Sequence, residues 1–131
     1  MSSSNNAIPE GLKMNCTTTN LVPNHENVKS YYGKAQIVKT NDGISLQSYG
    51  TEVADLDSSN RLTFCAGDWA YSRTTCQHVK EFCWYLSDSG RIPNLMQIID
   101  EIQGKEKIKS FSALVRRVCW IDKDGKYEVR D

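Results

Sequence analysis

WAYSRTTCQHVKEFCWYLSDSG, residues 69–90, contains the start, body and end of one amphipathic helix, and the rest of the chain can be placed around it. Thr74 and Gln77 have the T-x-x-Q spacing of a capping box, in which each side chain satisfies an orphan backbone donor, so the helix is expected to begin near Thr74. Val79, Phe82, Cys83 and Leu86 then fall at i, i+3, i+4 and i+7, one apolar stripe that needs a sheet to cover it. Ser87-Asp88-Ser89-Gly90 ends it. The same geometry places the polar side chains. Cys76 and His78 point about 200° apart around the axis, too far for the thiol to hand its proton to the imidazole. Trp84 sits about 140° from the stripe, beside Gln77, Lys80 and Glu81, with Tyr85 at the border. A tryptophan on a polar face marks a binding hot spot.

Before this helix, residues 31–66 read as a β-meander. YYGKAQIVK alternates in polarity, and Asn41-Asp42-Gly43 supplies a hairpin turn centred on Asp-Gly. ISLQSYGTEVADLD, residues 44–57, continues as one strand with Ile44, Leu46 and Ser48 on one face and a bulge at Gly50. After the polar turn Asp57–Asn60, RLTFCA forms a third strand, and Trp69 and Tyr71 are expected to plug the end of the sheet. Upstream, Thr17–Val22 is a candidate strand or extended arm, and the polar residues 1–13 a flexible tail.

After it, Asn94 caps a second helix with Gln97 as its N3 partner. Leu95, Ile98, Ile99 and Ile102 repeat the apolar stripe, and Gly104 supplies the stop. SFSALVRRVCWI fits either a helix or a strand, and a hairpin over 115–130 is the better reading. The fold class is therefore α+β, an antiparallel meander packed on two amphipathic helices with a C-terminal β-hairpin, in one domain spanning 14–131.

Composition narrows the function. Sixteen Lys and Arg balance sixteen Asp and Glu, so no global field draws the chain to nucleic acid or anionic lipid. The bases gather in Lys105, Lys107, Lys109, Arg116 and Arg117, opposed over that stretch only by Glu106. This basic segment, with Trp84, Lys80, Gln77 and Tyr85, is the expected partner-binding surface. No export signal or membrane span is seen, and the five cysteines lack a framework-like spacing, which points to free thiols in the cytoplasm. Cys65, Cys76, His78 and Cys83 lack the paired knuckles of a zinc module, no phosphate-cradling glycine motif occurs, and nothing implies a metal or cofactor. Asp55/Asp57 and Asp122/Asp124 read as turn and surface chemistry. The chain is thus expected to bind a macromolecule and not to be an enzyme. Two alternatives remain: nucleic-acid binding through Tyr31, Tyr32, Tyr49 and Trp120 with Arg116 and Arg117, and sequestration of a small nucleotide signal.

Residues 30–56 and 69–82 carry a composite pattern: YGKA at Tyr32–Ala35, L-x-S-Y-x-T-x-V at Leu46–Val53, and W-x-x-S-x-T-T-x-x-H-x-x-E-F at Trp69–Phe82. In this the chain resembles short phage, prophage and plasmid proteins of Gram-positive bacteria. The resemblance implies a mobile-element origin and, by analogy with small α+β phage proteins, an inhibitor of a host factor such as a Cas or other defence nuclease, in the manner of anti-CRISPR proteins. Residues before 30 and after 87 lie outside it.

Overall fold

Seven strands form one antiparallel sheet whose spatial order is the order of the chain: β1 (Thr17–Asn20), β2 (Ala35–Thr40), β3 (Gly43–Ser48), β4 (Thr51–Asp57), β5 (Leu62–Phe64), β6 (Val118–Ile121) and β7 (Tyr127–Val129). Between β5 and β6 the chain makes a 3-10 turn, Asp68–Tyr71, and three helices, α1 (Arg73–Asp88), α2 (Leu95–Lys105) and α3 (Phe111–Arg117). The computed structural model describes residues 17–23 and 31–130; the tail expected over 1–13, together with Cys16 and His25, lies outside them.

The register separates two sheet faces. Ile37, Leu46, Ala54 and Phe64 align across β2–β5, as do Ile44, Leu56, Leu62 and Ile121 across β3–β6, and all are buried. Val79, Phe82, Cys83 and Leu86 of α1 are fully buried with them, as are Leu95, Ile98, Ile99 and Ile102 of α2, so both helical stripes pack inward as expected. The opposite row, Val38, Ser45, Asp55, Thr63, Trp120 and Glu128, keeps contact with solvent. Arg61 covers the Trp120 ring at 4.0 Å, and the indole N–H donates to Glu128 at 2.8 Å.

Several local expectations are corrected. Residues 44–57 are not one strand with a bulge at Gly50 but a hairpin, β3 and β4, turning at Tyr49-Gly50 with φ of 53° and 80°. Positive φ at both central residues is the type I′ arrangement whose twist matches the strands. The irregularity falls instead between Leu46 and Gln47. In the β2–β3 turn the central residues are Asn41 and Asp42, and Gly43 pairs with Thr40; a Cβ at Gly43 would run into the Leu56 carbonyl. Helix α2 passes through Gly104 and ends at Lys105 with Glu106 as its C-cap, and the φ of 57° at Lys107 lets the Ile108 N–H reach the Gln103 carbonyl. Asn94 caps it without a side-chain hydrogen bond, and Gln97 reaches Glu101 instead. The ambiguous segment is both things in turn: a third helix, capped by Ser110 accepting from the Ala113 N–H at 3.2 Å, then the first strand of the C-terminal pair.

The join between β5 and β6 is narrow, with paired positions at Leu62–Ile121 and Thr63–Trp120. Arg130 spans it, donating to the Phe64 carbonyl at 2.7 Å and to the Val115 and Arg116 carbonyls at 3.2 Å.

Candidate binding groove

Helix α1 starts two residues earlier than the T-x-x-Q spacing implied. Ser72, not Thr74, is the cap, and its hydroxyl accepts from the Thr75 N–H at 3.2 Å. Thr75 and His78 then turn toward the sheet. The Ser48 hydroxyl lies 2.8 Å from His78 Nδ1 and 3.2 Å from Thr75 Oγ1, and hydrogen-bonds both. All three are buried, and Tyr31 meets the imidazole edge-on at 4.5 Å. Burial holds the His78 pKa below the ordinary imidazole value. Cys76 goes elsewhere, its Sγ contacting the Ala70 carbonyl at 3.3 Å. Burial pushes its thiol pKa up, only partly opposed by Arg116, and burial does the same to Cys83. Thiol and imidazole are thus committed to different elements. Sequence reading missed the Ser48–His78 bond; the signal was a hydroxyl in the apolar row of Ile44 and Leu46, which needs a partner when buried.

The outward side of α1 lines two adjoining depressions of about 460 and 650 Å³ that share Lys80, Ser110 and Phe111. At the N-terminal end lie Tyr71, Arg73, Gln77 and Arg116; at the other, Trp84, Met96, Ile99, Asp100 and Lys109. Trp84 is half-buried, neither shut in the core nor standing clear of it. Arg116 donates to the Ala70 carbonyl at 3.2 Å and holds its guanidinium 4.8 Å from the Tyr71 ring centre. The groove therefore joins four cationic side chains, Arg73, Lys80, Lys109 and Arg116, to one carboxylate, Asp100.

Of the expected surface, Gln77, Lys80, Trp84, Lys109 and Arg116 come together there. The others do not. Tyr85 stacks on Phe82 and faces Lys39 and the depression beside β1, Lys105 lies beside Ile98 and Tyr127, Lys107 occupies the turn after α2, and Arg117 is exposed at the end of α3. The basic segment is not one face because the turn at Lys107 and the start of α3 rotate its side chains apart. The nucleic-acid constellation is not assembled either: Tyr31 is buried against His78 and Trp120 is covered by Arg61. Tyr71 does not plug the sheet; it is 75% exposed, while Trp69 packs on the core and donates to the Cys65 carbonyl at 2.8 Å. Exposed aromatics instead gather at one end of the sheet, where Tyr32 and Tyr49 stand on adjacent turns linked by the Tyr49 N–H to the Lys34 carbonyl.

Among the described residues no group of three or more His, Cys, Asp or Glu could hold a metal ion, and no helix is long and apolar enough to cross a membrane. Fold and groove define an α+β scaffold with a seven-stranded meander on one side and a cationic, aromatic furrow on the other. Over residues 19–91, more than half its length, the chain matches the model of a family of unknown function, DUF8033, and it belongs to that family. No curated protein and no solved structure matches it. The matched span holds β2–β5, α1 and the α1 wall of the groove, while the wall from α2 and α3 lies beyond it.

Proposed function

We propose that this protein is a non-catalytic binding module that takes a macromolecular partner in the groove along α1, and that it acts by blocking that partner. The observation that supports this is the assembly of Lys80, Trp84, Phe111 and Arg116 along one furrow, while of the groups that could do chemistry on α1, His78 is buried beside Ser48, and Cys76, at the edge of the furrow, is buried with its thiol against the Ala70 carbonyl. A half-buried indole flanked by cations is the composition of a hot spot. The resemblance to phage and plasmid proteins supports a host defence factor, a nuclease among the candidates, as the target. Capture from a host lysate with the immobilised protein and three variants tests the reading. A partner held by wild type and Tyr85→Ala, but lost from Trp84→Ala and Lys80→Glu, is the expected outcome, with Trp84→Ala weakening it by about 2 kcal/mol or more. A partner held equally by all four proteins removes the groove from the account.

A second reading rests on Tyr32 and Tyr49, both exposed on adjacent turns, with Lys34 5.5 Å from the Tyr49 ring centre: a stacking platform for single-stranded nucleic acid. Anisotropy of labelled oligonucleotides that falls steeply with added salt would support it. Flat titrations at low salt would end it.

A further inference from the structure

We infer that the occupant of the groove is an acidic polypeptide segment carrying apolar anchor side chains; this rests on the groove reading above and names its chemistry. Charge complementarity is the first argument. Arg73, Lys80, Lys109 and Arg116 come from α1, from the approach to α3 and from α3 itself, three different parts of the chain converging on one furrow with Asp100 as its only carboxylate. The whole chain is neutral, so this bias is local.

The floor of the groove supplies the second. Met96, Ile99, Trp84 and Phe111 line it, and Ile99 is almost completely buried. Aliphatic and recessed aromatic walls receive side chains such as Leu or Phe. The Tyr71 ring at the far end is engaged by Arg116.

The test uses the full chain, isotopically labelled, and three short synthetic peptides with identical Leu and Phe positions: one with Asp and Glu between them, one with Asn and Gln, one with Lys. A single-stranded DNA oligonucleotide is the fourth probe. The acidic peptide is expected to bind at least about tenfold tighter than its amide counterpart, with chemical-shift changes centred on Tyr71, Lys80, Trp84 and Phe111, and to weaken several-fold from low to physiological salt. Lys80→Glu/Lys109→Glu should abolish that preference, whereas Lys123→Glu, in the β6–β7 turn, should leave it unchanged. Equal binding of acidic and amide peptides, shifts centred elsewhere, no binding, or displacement of the peptide by the oligonucleotide each overturns the proposal. A lysate partner that still depends on Trp84 while the acidic peptide fails would keep the groove as the site and discard only its acidic preference. A partner indifferent to Trp84 discards the site itself.

Discussion

Along the inward side of α1, Val79, Phe82, Cys83 and Leu86 have no exposed surface, and Thr75 Oγ1 and His78 Nδ1 both bond one serine of β3. Along the outward side, Arg73, Gln77, Lys80 and Trp84 keep part of their surface and face helices that leave a furrow between them. One helix thus serves two purposes by rotation alone: one side fixes the fold, and the other is available to a partner. Substitutions should obey the same division.

Phe82→Ala should cost the most, about 3–5 kcal/mol in denaturant unfolding, because it leaves a cavity in the sheet–helix core. A loss below about 1 kcal/mol would mean that α1 does not seat as described. His78→Ala should cost about 1–3 kcal/mol, since Ser48 is left buried without its ring partner. The same ring gives a pH signature. Its pKa is lowered on folding, so below about pH 6.5 the unfolded chain binds a proton that the folded chain refuses, and stability falls as pH drops through that range. Tm measured from pH 7.5 to 5 should decline more steeply in wild type than in His78→Gln; identical slopes would show that the ring does not titrate against folding. Lys80→Ala, on the other side, should change stability by no more than about 0.5 kcal/mol. If it costs as much as Phe82→Ala, the two sides are not separate.

What the sequence made legible follows the same line. The stripes of α1 and α2 could be read because burial imposes a period on neighbouring positions, and the same arithmetic placed Gln77, Lys80 and Trp84 outward correctly but Glu81 wrongly, since that carboxylate is buried. The opposite wall of the groove could not, since the position of Met96 and Phe111 against α1 depends on how three helices pack. The Ser48–His78 bond joins residues distant in the chain, so a hydroxyl in the apolar row of β3 signals the need for a partner without naming it. Tyr49-Gly50 misled because tyrosine favours strands and seldom adopts positive φ, so a turn passed for a strand with a flaw. Gly104 misled in the opposite sense, being the residue expected to end a helix, while Lys107 takes the left-handed position instead.

The narrow seam between β5 and β6 has a consequence for how the molecule is made and how it breathes. Strands β2, β3 and β4 are joined by two-residue turns and can pair within microseconds, whereas β5 meets β6 only after the chain has closed a loop over residues 65–117. The meander is thus the early-forming unit, and the last hairpin, fastened by Arg130, is added late. In native-state hydrogen exchange the β6–β7 amides should open at a lower free energy than those of β2–β4, and Arg130→Ala should widen that gap.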